Sequence, residues 1–360
     1  MNINIKKAFI LHHSAIIRRE QGKYEKAKKF ASRALKIIEQ ELGSDHPYMA
    51  NLLNNLAFIH EAQSDYDSAE KLLRQSVDII EKTEKSEDTE NLRAQSSIGL
   101  ARIYCAKGLY SEAENLLKSA MAIAEQSSEP DNMLITDVLN NLAVLYKYQG
   151  RFDDAEKLYR QVLPIIEKAS GPEHPEVATL YHNLGGLEHS RGRYAEGEPF
   201  ARRSVAIREK ALGKNHPSVA ADITALAAIL DGQKKYDEAE MLYQRALKIF
   251  QKVYGKDHYE IAVSLNNLAA IAYQKGNYTE AEQKYKRALE IKEKILGDDN
   301  PDVAMTLNNL AVLYKSQKRF KEAELLYSRS ISIYEKTLEP THPNLVICRE
   351  NYAKLLQEMK

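Results

Sequence analysis

The sequence predicts an all-α fold: a right-handed superhelical solenoid of about eight helix-turn-helix repeats, ended by a C-terminal capping helix. Three observations carry the prediction. An aromatic residue opening a phrase of the form Y-x-x-A recurs at Tyr24, Tyr66, Tyr110, Phe152, Tyr194, Tyr236, Tyr278 and Phe320, at intervals of 42 residues and once of 44. A fixed period of this size marks a repeat array. Glycine and proline number only 15 and 10 in 360 residues, too few for a turn-rich β-fold. Within each period, apolar residues recur twice at helical spacing.

The period from Pro301 illustrates the two helices. Val303, Leu307, Leu310, Ala311 and Tyr314 form one apolar stripe, and Ala323, Leu326, Tyr327, Ser330, Ile331 and Tyr334 form the second. Pro301 suits a first helical turn, where its missing N–H costs nothing. Between the stripes, sister repeats place Gly150 and Gly276 where a left-handed C-cap is wanted. The small residue three after each aromatic (Ala27, Ala69, Ala113, Ala155, Gly197, Ala239, Ala281, Ala323) marks a close helix crossing.

A start phrase shares the period, at His46, Glu90, Asn132, His174, His216, His258, Asn300 and His342. One continuous solenoid over residues 1–360 is therefore expected. Its repeats run over 4–45, 46–89, 90–131, 132–173, 174–215, 216–257, 258–299 and 300–341, with the cap over 342–360. A two-residue insertion falls in Thr83–Thr89. The stack is expected to be least regular between about Thr83 and Gly171, where Pro164 should remove a hydrogen bond and bend its helix. The recurring histidines 46, 174, 216, 258 and 342 read as helix-start residues, because histidines a whole repeat apart do not converge on one ion.

Composition narrows the function. Lys+Arg and Asp+Glu are both 51. Without excess cationic charge, no nucleic-acid binding is expected. Cys105 and Cys348 lie far apart, in keeping with a reducing, cytoplasmic setting. No apolar run approaches a membrane span, and the N-terminal residues carry no cleavage signature, so neither a membrane anchor nor a signal peptide is expected. Phosphate-loop, GxSxG and HExxH motifs are missing, so no catalytic residue, metal or cofactor is expected and the chain reads as non-enzymatic. A monomer is the default.

On the helix from Pro301, Met305, Asn309 and Ser316 point away from the core stripe, at roughly 160°, 200° and 180° on a wheel of about 100° per residue. Equivalents of Asn309 are Asn55, Gly99, Asn141, Asn183, Ala225, Asn267 and Asn351. Asparagine is a mediocre helix former, so its recurrence asks for a reason. One is a peptide backbone held by the amide; the other is an inter-repeat ladder that stiffens the stack. The preceding asparagines, Asn54, Asn140, Asn266 and Asn308, sit beside the stripe and read as structural.

The phrases "LNNLA" at Leu53, Leu139, Leu265 and Leu307, "RALKIFQK" from Arg245 and "LGxxHP" at Leu42 and Leu212 resemble a tetratricopeptide repeat, in the 42-residue form of kinesin light chains. The resemblance covers nearly the whole chain. It implies that the first helix of each repeat lines a concave surface binding an extended peptide or partner helix, with Asn141, Asn183, Asn267 and Asn309 on the peptide backbone. It also implies that basic residues of the second helix, here Arg208 in "IREK" and Lys292 in "IKEK", meet acidic side chains. No coiled coil of the kinesin light chain type is present. The expected function is thus a protein-interaction scaffold with a protein or peptide partner. The alternative is a sensor or regulatory subunit whose activity resides in another chain or domain.

Overall fold

The structure is a computed structural model that describes residues 2–126, 132–338, 340 and 342–359. Among these residues there are α-helices and no strand. The first five hairpins are α1 (Ile3–Glu20) with α2 (Tyr24–Leu42), α3 (Pro47–Ala62) with α4 (Tyr66–Glu81), α5 (Glu87–Ala106) with α6 (Tyr110–Gln126), α7 (Asn132–Tyr148) with α8 (Phe152–Ser170), and α9 (Pro175–Ser190) with α10 (Tyr194–Leu212). Then come α11 (Pro217–Gly232) with α12 (Tyr236–Tyr254), α13 (Tyr259–Gln274) with α14 (Tyr278–Leu296), α15 (Pro301–Ser316) with α16 (Phe320–Thr337), and the unpaired α17 (Pro343–Glu358). The chain is an all-α repeat solenoid. Its residues group into two compact units, Met1–Ala225 and Leu226–Lys360.

The His-Pro phrase is helix-start chemistry. Nδ1 of His46, His216, His258 and His342 accepts the backbone N–H two residues on, at 3.1, 3.1, 3.2 and 3.2 Å. His174 does so at 3.4 Å, and Asn300 through Oδ1 at 2.8 Å. Each side chain thereby satisfies one of the N–H groups a helix start leaves unpaired. Pro47, Pro175, Pro301 and Pro343 follow in the first turn.

At the hairpin turns, Gly150 and Gly276 take the left-handed conformation that the sequence asks of them, with φ of 75° and 79°. Three repeats put a side chain there instead: Ser64, Lys234 and Lys318, at φ 61°, 63° and 60°. The small residue after each turn aromatic is buried in every repeat. One local detail differs from expectation. Helix α5 begins at Glu87, three residues before Glu90, because Ser86 and Thr89 form a reciprocal capping box. Helix α8 runs unbroken through Pro164, and α10 through Pro199. The joint between the third and fourth repeats, residues 127–131, lies outside the described residues, as do Thr341 and Lys360 at the expected ends of the last repeat and the cap.

Within the first unit, the backbones of consecutive odd helices approach closely (α1–α3, α3–α5, α5–α7, α7–α9), whereas no two even helices bring their backbones as close among the described residues. The same holds for α13, α15 and α17 in the second unit. A stack whose odd helices converge while its even helices splay is bent, with the odd helices on the inside. In the second unit, Tyr327, Tyr334, Leu345, Cys348 and Leu355 share one core, so α17 covers the apolar side of the last hairpin.

Candidate functional site

The inner surface of each unit is built from odd helices, and its asparagines largely bind one another. Asn183 Nδ2 donates to Asn140 Oδ1 of the preceding repeat at 2.9 Å. Asn309 donates likewise to Asn266 at 3.4 Å, and Asn351 to Asn308 at 3.3 Å. At the N-terminal end His12 stands where Asn54 stands in the next repeat, and Asn55 Nδ2 meets its Nε2 at 2.9 Å. Asn141 has no such partner, because its counterpart in repeat three is Ile98. Its amide turns back onto its own helix, to the Asp137 backbone oxygen at 2.8 Å and Oδ1 at 2.9 Å. Asn267 is half-buried at the equivalent place on α13.

The two basic residues of the second helices are placed away from any open wall. Arg208 Nε donates to Asp222 Oδ2 at 2.6 Å, and Nη2 reaches Thr179 Oγ1 at 3.1 Å. His182 Nδ1 lies 2.9 Å from the other oxygen of Asp222, which is almost fully buried. Burial raises the carboxyl pKa of Asp222, but its bonds and charge interactions with His182 and Arg208 outweigh this and hold it below the usual range. Lys292 is 1% exposed, and its ammonium donates to the Asp302 carbonyl at 3.1 Å. Burial pushes its pKa down. The sister positions are Ile80, Ile166, Phe250 and Tyr334, so the period itself marks this as a core position.

Sequence reasoning missed the groups that give the inner surface of the first unit its character. Phe58 on α3 is 43% exposed, between the guanidinium of Arg19 at 4.6 Å and that of Arg102 at 5.6 Å. Such cation–aromatic contacts contribute about 0.5–1 kcal/mol where exposed. Arg102 is held by Glu61 in a two-point ion pair, both bonds 2.8 Å. On α7, one turn before Asn141, Asp137 is exposed to the groove, yet the enclosing walls raise its carboxyl pKa. Near the end of α7 stands Lys147, its pKa lowered by desolvation. It leans toward α9, where Gly186 leaves bare backbone: a Cβ there would stand 3.9 Å from Lys147 Nζ. The available signal was the position three residues after the asparagine row, which reads Phe58, Arg102, Val144, Gly186 from repeat to repeat and so keeps no constant residue type.

A second missed network is periodic. The second carboxylate of the "EAE" phrase pairs with a cation at the next hairpin turn. Lys107 takes Asp67 and Glu70 at 2.7 and 2.8 Å, Arg191 takes Asp153 and Glu156 both at 2.6 Å, and Lys275 takes Asp237 and Glu240 at 2.5 and 2.6 Å. These pairs tie neighbouring hairpins at the turn edge. No group of three or more metal-ligating side chains gathers among the described residues, and no helix there is long and apolar enough to cross a membrane.

Comparison with known proteins gives the same repeat fold. A family model described as tetratricopeptide repeat matches residues 7–82, 92–168, 134–207, 176–252, 220–294, 260–336 and 302–360. Repeats of a putative kinesin light chain from Podosopora anserina are 27% identical over 55% of this chain and 94% of theirs, with a TM-score of 0.47. The tetratricopeptide repeat sensor protein of the Signal Transduction ATPase with Numerous Domains class from Pyrococcus horikoshii is 19% identical over 95% of this chain and 50% of its own, with a TM-score of 0.60. NprR in complex with its cognate peptide NprX is 16% identical over 85% of this chain and 87% of its own, with a TM-score of 0.59. At these identities the likeness is one of fold. No match was found among curated proteins.

Proposed function

Because the chain belongs to the tetratricopeptide repeat family, we propose that it is a non-enzymatic interaction module whose odd helices hold an extended segment of a partner protein. The observation that carries this reading is Phe58. An aromatic ring that stays 43% exposed on the inner face, even with guanidinium groups of both neighbouring hairpins against it, suits an apolar or aromatic partner side chain.

In this reading the asparagine row has a double use. The ladder engages the amide N–H groups of Asn183 and Asn309, and the amide oxygen of half-buried Asn183 is the group offered to a ligand backbone, whereas Asn141 is only 7% exposed and donates its N–H groups to Asp137. Asn267 is offered in the same way from α13. Arg208 acts by fixing Asp222 and Thr179 beside the inner face, and Lys292 by supporting the start of α15 through the Asp302 carbonyl; neither need touch the partner.

The test is a groove block. A Cβ on Gly186 meets only the tip of the Lys147 side chain at 3.9 Å, so Gly186→Trp puts a bulky side chain on the inner face without a clash at its Cβ. Partner capture from the native host should be lost with Gly186→Trp and retained with Lys157→Trp, which is exposed on the outer helix α8. Equal capture by both variants would refute the assignment.

A further inference from the structure

On α7, at the inner face of the first unit, Asp137 and Lys147 have no ion-pair partner among the described residues. Elsewhere on such faces Glu61 pairs with Arg102, and in the second unit Lys315 pairs with Glu358 at 2.9 Å. Asp137 accepts only the Asn141 amide, and no ion pair forms at it among the described residues. Arg102 on α5 acts on Asp137 through charge alone, its hydrogen bonds being taken by Glu61. Lys147 has its own neighbour Tyr148 under the ammonium, 4.8 Å from the ring centroid, and no carboxylate within ion-pair distance among the described residues. Charges held in a desolvating setting ordinarily find a partner. These two cannot serve each other. They are ten residues apart on one helix, about 15 Å at 1.5 Å per residue.

Their surroundings differ in a way that fits opposite ligand groups. Asp137 opens on a cleft of ≈ 340 Å³ lined also by Gln95, Asn140, Glu176 and Thr179, with Leu180 as an apolar wall. The second carboxylate, Glu176, lies near enough to add to the pKa rise at Asp137. Lys147 instead faces the bare backbone at Gly186 and His189, whose pKa its charge helps to depress. One end of α7 thus attracts a cation and the other an anion.

We propose that the partner segment carries a lysine or arginine seated at Asp137 and Glu176 and an aspartate or glutamate set against Lys147 and His189, four or five residues apart. The spacing follows from the helix: about 15 Å is spanned by four to five residues of extended chain at roughly 3.3–3.6 Å each. The opposed charges also fix the direction in which the segment lies along α7. This inference rests on the groove reading above and adds the chemistry and register of its occupant.

A random decapeptide array probed with the full chain tests it. The peptides that bind should be enriched in basic–acidic pairs four or five positions apart, in one order. The exchanged variant Asp137→Lys with Lys147→Glu should select the same spacing in the opposite order. Against the best-bound peptide, Asp137→Asn and Lys147→Gln should each weaken binding about tenfold or more, with melting temperatures recorded alongside. Peptides blocked by Gly186→Trp but lacking the charge pair, or an order unchanged by the exchange, would overturn the register while leaving the groove reading intact. Failure to bind any peptide, or binding indifferent to Gly186→Trp, would overturn both.

Discussion

Asn183 donates its side-chain N–H to the side-chain oxygen of Asn140, 43 residues earlier, at 2.9 Å across the joint between two hairpins. Asn309 and Asn351 repeat the bond with Asn266 and Asn308. The row that a peptide binder would use for its ligand is therefore also a strut between repeats. A double-mutant cycle on Asn140 and Asn183 separates the two uses. The coupling energy in thermal or chemical unfolding should be about 0.5–1.5 kcal/mol, the net worth of one such hydrogen bond. Additive losses would mean that the bond contributes nothing to stability.

Lys292 is an ammonium in a position where other repeats keep Ile80, Ile166, Phe250 or Tyr334. Replacing a buried charge by a well-packed apolar group is often stabilising by about 1–4 kcal/mol. Lys292→Ile should therefore raise the unfolding free energy by about 1 kcal/mol or more, measured by denaturant titration at neutral pH. Because burial lowers the folded pKa below the ordinary lysine value, the unfolded chain holds the proton more tightly. The gain from Lys292→Ile should shrink as pH rises toward about 10.4, where the unfolded chain also loses its proton.

His258 caps α13 through Nδ1, stacks on Tyr254 at 3.8 Å, and buries Nε2 without a partner. Burial pushes its pKa from 6.5 down to about 4. Stability linked to the neutral ring is complete above pH 6.5 and is lost as pH falls through that value toward 4. The loss is on the order of 2–3 kcal/mol, since each tenfold drop in proton affinity on folding is worth about 1.4 kcal/mol. His258→Asn keeps a capping acceptor, as Asn300 does natively, and should flatten the pH dependence relative to the wild type between pH 7 and 4. An unchanged slope would show that His258 does not titrate in this way.

Two adjacent glycines on α9 should respond oppositely to the same change. A Cβ on Gly186 meets only the tip of Lys147 at 3.9 Å, whereas one on Gly185 would stand 3.3 Å from the Ala201 backbone nitrogen and 3.4 Å from the Gly197 oxygen. Gly186→Ala should stabilise by about 0.8–1 kcal/mol through helix propensity. Gly185→Ala should lose about 1–3 kcal/mol, because the crossing with α10 is already closed. Calorimetry of the two variants checks the pair.

The fold was legible because each repeat says the same thing. The period and the two helical stripes recur in every repeat, the His-Pro starts and turn glycines in several, and each is a local signal that corresponds to a cap or a packing position. The left-handed turns at Ser64, Lys234 and Lys318 were not legible, since only their alignment with glycine reveals them. The site was harder to read. Arg208 and Lys292 attract attention as charges, and only the apolar residues at their sister positions reveal burial. Asp137, Lys147 and Phe58 are ordinary residues in a helical pattern. What marks them is what they fail to meet in three dimensions, and no one-dimensional spacing records that.

The central claim is that the partner lies against the odd helices. Site-specific photo-crosslinking in the native host tests it with little disturbance, because Phe58→p-benzoylphenylalanine replaces one exposed inner aromatic by another. The matched control places the same group at Lys157, exposed on α8. The account predicts a discrete adduct from position 58, absent from position 157 and suppressed by Gly186→Trp. An adduct formed at position 157 and not at position 58 would contradict it.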